Sequence, residues 1–138
     1  MYLLDTNAVS DLRKAGTRSE NPGLVAWASG VSNLDLFLSS ISVLELEIGV
    51  QRIERRDAKQ GRVLRRWLSE AVLPAFVDRI LPFDLAAAIL CAEYHVPNPS
   101  SDRDSFIAAI AASHELTVVT RNERDFAPFG AALINPWT

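Results

Sequence analysis

Short apolar runs that stop at hydrogen-bonding residues, separated by stretches of helical spacing, leave this chain few folds. The first run, Tyr2-Leu3-Leu4, ends at Asp5-Thr6-Asn7. Others are Leu36–Ile41, Arg79–Phe83, Leu116–Thr120 and Ala131–Ile134, the last stopping at Asn135-Pro136. Runs of this length bounded by turn residues read as buried strands. Between them, helices are predicted from Ala8 to Lys14, from Asn21-Pro22 through Ala28, and from a Ser42 cap to about Arg56. Three more follow: one carrying Val63 to Val72 with Pro74 near its end, one from Leu85 to Tyr94 behind Asp84, and one from Asp102 or Asp104 through His114. Such alternation predicts an α/β fold of three α/β/α layers, with a mostly parallel central sheet of about five strands. Pro82 places the third strand at an edge.

If the first strand is central, the chain winds outward on one side, returns, and winds outward on the other. Ligand crevices open at the carboxyl ends of strands where that direction switches. The crevice therefore falls between the strand ending at Asp5 and the strand ending at Thr120. A length of 138 residues, about half of them apolar, suits one domain spanning 1–138. Cys91, the sole cysteine, lies among Ala88, Ile89, Leu90 and Ala92 and reads as a core residue in a reducing compartment. No basic-then-apolar leader opens the chain, and the apolar run Leu85–Ala92 is too short to span a bilayer. The expectation is a cytoplasmic protein without membrane contact.

Four carboxylates fall at ends of elements that could meet in this crevice: Asp5, Glu45, Asp104 and Asp125. Each has a bland reading. Asp5 suits a helix cap, and Ser42-Val43-Leu44-Glu45 and Ser101-Asp102-Arg103-Asp104 both fit the capping-box pattern. Together they point elsewhere, because acids sharing a site repel unless a hard cation neutralises them. Carboxylates without nearby His or Cys select magnesium or manganese over zinc. The chemistry suited to such a cluster is metal-assisted phosphodiester cleavage. Ile107, Ala108 and Ala111 share a helix stripe with Asp104, and the two alanines would let that helix sit close to the sheet. Glu47 lies close to Glu45, and spacing alone does not choose between them.

The net charge of −3 disfavours bulk affinity for nucleic acid, but its distribution is uneven. Arg52, Arg55, Arg56, Lys59, Arg62, Arg65 and Arg66 stand against Glu54 and Asp57, a local excess of five positive charges that leaves the remainder at −8. The segment reads either as a solvated helix face or as an anchor for phosphates beside an acidic site. The helix from Ser42 to about Arg56 also bears on assembly. Val43, Leu46, Val50 and Ile53 form one apolar stripe and Leu44 and Ile48 a second, so two packing partners are expected, one of them another subunit.

Taken in order, Leu4-Asp5-Thr6-Asn7, Ser39-Ser40-Ile41-Ser42-Val43-Leu44-Glu45-Leu46 with Gly49, Asp104-Ser105-Phe106-Ile107-Ala108-Ala109, Thr120 through Phe126, and Leu133-Ile134-Asn135-Pro136-Trp137 resemble the PIN-domain ribonucleases. Within them the pattern is similar to the VapC-type toxins of toxin–antitoxin pairs. The resemblance implies a PIN-like α/β/α fold and an RNA endonuclease dependent on Mg²⁺ or Mn²⁺. It also implies a homodimer held inactive by a cognate antitoxin, with DNA reached only through that antitoxin. Asp5, Glu45 and Asp104 match the family's three regular acids, and Asp125 matches the fourth; the match favours Glu45 over Glu47. By the same resemblance Asp5, Asp104 and Glu45 hold the metal, Thr120 and Asn122 position water or acid, and Asn7 braces Asp5. Ser42 stands where threonine is frequent.

Two rivals frame this expectation. A phosphoacceptor receiver domain needs a lysine near the end of its last strand, and the only lysines are Lys14 and Lys59. A non-catalytic binding module, its acids merely capping helices, predicts no effect of magnesium on thermal stability. His95 and His114 read as surface or helix-end residues, and Trp27, Trp67 and Trp137 as core or interface anchors.

Overall fold

The computed structural model describes residues 1–138. Its centre is a five-stranded sheet in which every neighbouring pair is parallel. The strands are β1 (Tyr2–Leu4), β2 (Leu36–Ser39), β3 (Ile80–Leu81), β4 (Thr117–Val119) and β5 (Leu133–Ile134). They lie in the order β3-β2-β1-β4-β5, so β1 is central, the condition on which the crevice was placed, and β3 with its adjacent Pro82 is an edge, as expected. The chain steps outward through β2 and β3, crosses back, and steps outward again through β4 and β5. The switch point lies between β1 and β4, where Asp5 N donates to Val119 O at 3.0 Å.

Two helical layers cover the sheet. α1 (Thr6–Leu12), α2 (Pro22–Ser29), α3 (Ser40–Arg56) and α4 (Ala58–Arg66) precede a π-helical stretch, Trp67–Val72, and the short α5 (Leu73–Ala75). α6 (Leu85–Tyr94), α7 (Asp102–Ser113) and the short α8 (Glu123–Phe126) follow. Side-chain alternation along strands divides the core. Leu3 and Val118 join Ala87, Cys91, Ile107 and Phe126 on one face. Leu4 and Val119 join Ala8, Leu46, Val50 and Leu68 on the other. α7 is buried on nearly every side, from Ser105 and Ile107 through Ala111. Its alanines bring it close to the sheet, which carries Asp104 at its first turn to the sheet's rim.

Several local expectations shift. The second strand stops at Ser39, not Ile41, because the Ser39 hydroxyl accepts from Ser42 N–H at 3.0 Å and starts α3 three residues early. Ser42 is thus inside the helix, and Ser42–Glu45 form no capping box. Ser101 precedes α7 without a side-chain cap bond; its hydroxyl instead donates to Asp104 Oδ2 at 3.2 Å. The region after Arg56 folds back at once. Asp57 takes an extended backbone and caps α4 through Gln60 N–H, at 3.1 Å. Gly61 makes this hairpin possible, since a Cβ there would lie 2.6 Å from Glu54 Cα. The third strand is only Ile80–Leu81, shorter than the Arg79–Phe83 expected. No helix is long and apolar enough to cross a membrane.

Candidate active site

The crevice at the switch point is organised by one buried carboxylate. Asp5 leaves β1 and opens α1, so its position is set by both elements. It is only 5% exposed. Its Oδ1 accepts from Thr6 N–H at 2.8 Å and its Oδ2 from the Thr120 hydroxyl at 2.9 Å. Thr120, fully buried beyond the end of β4, accepts in turn from Asn122 N–H at 3.0 Å. Burial is the main cause that pushes the Asp5 carboxyl up to about 6, helped by the charges of Glu45 and Asp104 and opposed by its two hydrogen bonds.

Glu45 comes from α3. The Thr6 hydroxyl donates to Glu45 Oε1 at 2.7 Å and lies 2.9 Å from Ser42 Oγ. Thr6 therefore ties Asp5 to Glu45: its backbone serves one carboxylate and its side chain the other. Arg103, from the first turn of α7, approaches Glu45 Oε2 at 3.7 Å. Asp104 is half-buried. Its carboxyl is raised chiefly by burial, then by Asp125 and Glu45, against the Ser101 hydrogen bond. Asp125 sits exposed on α8. Asp5 ahead of α1 and three acids from α3, α7 and α8 therefore sense one another, and Asp5 and Asp104 bind protons more tightly than an ordinary carboxyl.

The donor set is all oxygen and suits a hard divalent cation. No three acidic, His or Cys side chains close onto a common point. Mutual repulsion explains this, together with the groups that hold each acid back: Thr120 on Asp5, Arg103 and Thr6 on Glu45, and Ser101 on Asp104.

Other expected site residues fall less simply. Asn7 forms no side-chain hydrogen bond to Asp5, whose two oxygens are already taken by Thr6 and Thr120. Glu47, the alternative to Glu45, turns to Arg65 at 2.7 Å and to Gln51 at 3.1 Å. Arg65 also bonds Glu54 at 3.0 Å and so links α4 to α3. It is a brace of the hairpin, fixed in its charged form by two carboxylates, and not a free phosphate contact. Arg66 pairs loosely with Glu70 at 3.5 Å. Arg52, Arg55, Arg56, Lys59 and Arg62 are exposed and make no ion pair. Reading the sequence missed Thr6 as the bridge and Arg103 as the guanidinium at the rim. Thr6 was signalled by its place beside Asp5 at a strand end; a single arginine between Asp102 and Asp104 carries no signal.

Comparison with known proteins places this geometry. The family model for the PIN domain matches residues 2–130. Toxin FitB of Neisseria gonorrhoeae is 36% identical over 142 residues, covering 99% of both chains. VapC ribonuclease Y4jK of Sinorhizobium fredii is 34% identical over 142 residues, covering 99% of this chain and 98% of its own. Among solved structures, FitAB bound to the IR36 DNA fragment contains a chain that superposes with a TM-score of 0.88 at 34% identity, covering 100% of this chain and 96% of that one.

Proposed function

Given that the chain belongs to the PIN-domain family, we propose that it is a divalent-metal-dependent endoribonuclease and the toxin of a toxin–antitoxin pair. The observation that carries this reading is Asp5: a buried carboxylate at the switch point, held proton-avid by burial and by the charges of two further acids. A buried acid of this kind is costly, and perturbed carboxyls in a crevice mark functional sites. Asp5, Asp104 and Glu45 would hold Mg²⁺ or Mn²⁺, and Asp125 would support a second ion or a bound water. When bound, the ion supplies an activated water and charge stabilisation at the phosphorus.

The chain's own residues prepare that chemistry. Thr120 and the Thr6 backbone fix both oxygens of Asp5, so only proton loss and small adjustments separate it from a ligand. Thr6 does the same for Glu45. Asn122 holds the Thr120 hydroxyl in donor orientation toward Asp5. Arg103 partly neutralises the acids at the rim. The exposed cations of α3 and α4, with Arg65 excepted, track the RNA backbone.

A cognate antitoxin is the proposed partner, with DNA reached only through it; the similar structure of FitAB bound to the IR36 DNA fragment is in keeping with that. A homodimer is supported by α6, whose Leu85 and Ile89, one turn apart, are 76% and 64% exposed beside Val96 at 74%. The decisive experiment measures cleavage of single-stranded RNA in Mn²⁺ by the chain and by Asp5→Asn and Asp104→Asn. Each substitution is expected to lower kcat by about 10²-fold or more while far-UV circular dichroism stays unchanged. Near-normal cleavage by either variant would remove that carboxylate from the mechanism. Growth arrest on expression, relieved by co-expressing the product of the adjacent reading frame, tests the toxin role.

A further inference from the structure

We propose that the groove running from the acidic crevice between α1, α3 and α4 is a nucleotide subsite, seating one nucleotide of RNA next to the bond that is cut. The inference rests on the ribonuclease reading above and deepens it by assigning a place to the substrate.

The groove encloses about 340 Å³, within the range of small-ligand sites, roughly 300–1,000 Å³. It is continuous with the candidate active site, since Thr6 and Glu45 line its near end. Two helical stripes form its walls. Thr6, Ser10 and Arg13 stand at i, i+4 and i+7 along α1 and its C-cap; Glu45, Gly49 and Ile53 stand at i, i+4 and i+8 along α3. Trp67 closes the far end, with the Arg13 guanidinium over its ring at 5.7 Å. One wall is thus polar and ends in cations, Arg13 and Lys14; the other is apolar.

This division suits a nucleotide. Leu46, Val50, Ile53 and Leu64 accept a base and sugar, and Arg13 accepts the neighbouring phosphate, Lys14 being held by Asp11 at 3.2 Å. Arg13 makes no ion pair within the chain, so its charge is free for that role. Seven residues of helix separate Thr6 from Arg13, a rise of about 10 Å. The acidic crevice repels phosphate, and a cation at that distance anchors the strand without competing for the acids.

Gly49 is the second, independent argument. Glycine within a helix is destabilising relative to alanine. Packing does not require it, because nothing lies within 4 Å of where its Cβ would sit. That open space is the groove. Gly61, by contrast, is demanded by Glu54. The bare backbone at Gly49 therefore keeps a passage open.

The test uses the full chain carrying Gly49→Ala, Gly49→Val and Gly49→Leu, and separately Arg13→Gln. Cleavage of single-stranded RNA is followed in Mn²⁺, with Mn²⁺ binding by calorimetry and melting temperature as controls. The expected result is a KM that climbs with side-chain size to about tenfold at Gly49→Leu, with kcat and Mn²⁺ affinity held. Arg13→Gln lowers the slope of log KM against log salt by about one. A wild-type KM in all three Gly49 variants, with wild-type cleavage intact, overturns the subsite and leaves the ribonuclease reading standing. Unchanged RNA kinetics together with loss of the complex with the adjacent reading frame's product overturns it too, and gives the groove to a peptide. A wild-type chain that cuts no RNA sinks both readings.

Discussion

Asp5 has to serve two demands that conflict. As the last residue before α1 it is buried where β1 joins its helix; in its proposed role of metal ligand it must be ionised. Its carboxyl stands near 6 in the folded chain against an ordinary 3.8. Between those values the native state binds more protons than the unfolded one, so stability falls as pH rises through that window and stays low above it. The shift corresponds to about 3 kcal/mol at neutral pH. Asp5→Asn escapes this cost but loses an acceptor for Thr120, worth about 1 kcal/mol. In metal-free buffer at pH 8 the variant is therefore expected to be about 1–2 kcal/mol more stable than the parent, with the difference reversing near pH 4. Urea unfolding with chelator at both pH values measures this; a gap independent of pH would remove the buried charge as its cause. Mn²⁺ affinity in the parent should rise with pH through about 6, as Asp5 gives up its proton.

The α3–α4 hairpin shows why composition misjudged its cations. Seven basic residues crowd the segment, yet Arg65 is spent on Glu47 and Glu54, and α4 packs on α3 through Gly61. Arg65→Ala is expected to destabilise the fold by up to about 1 kcal/mol and leave the salt dependence of RNA binding unchanged. Arg62→Ala should do the reverse: no loss of stability, and a salt slope shallower by about one. Fluorescence anisotropy across a salt series separates the two, and matching slopes would return Arg62 to a plain solvated face. The helix glycines form a second contrast. Alanine at Gly61 would clash with Glu54 and is expected to cost about 1–3 kcal/mol, whereas alanine at Gly49 should stabilise by about 0.5–1 kcal/mol. Melting temperatures moving in opposite directions check the close approach at one site and the open space at the other.

For the molecule as a whole, the proposal joins a metal site at the acids to a dimer face on α6. The acids sit at the sheet's carboxyl rim, while the exposed Leu85 and Ile89 lie on α6. Mn²⁺ should raise the melting temperature by mass action, about 2.7 kcal/mol of stabilisation at a hundredfold excess over Kd, and the rise should be smaller at pH 5 than at pH 8. An unchanged melting curve at pH 8 would favour a non-catalytic binding module. Leu85→Glu with Ile89→Glu is expected to convert a dimer to a monomer in sedimentation equilibrium while each subunit stays folded; a dimer that persists places the interface elsewhere.

The alternation of apolar runs with helical spacing determined the layered sheet, because burying both faces of a parallel sheet demands that pattern. It also put the ends of elements, and so Asp5, Glu45, Asp104 and Asp125, at one rim. Element boundaries were less legible: serine at 39 and at 42 can each cap a helix, and the structure uses Ser39, whose hydroxyl accepts from Ser42 N–H. Tertiary contacts alone decided that Thr6 joins two carboxylates, that Arg103 reaches Glu45, that Arg65 braces a hairpin and that Gly49 faces open space. Spacing along a chain reports which residues share a face; which group lies across from that face depends on how separate helices dock, and no local pattern encodes it.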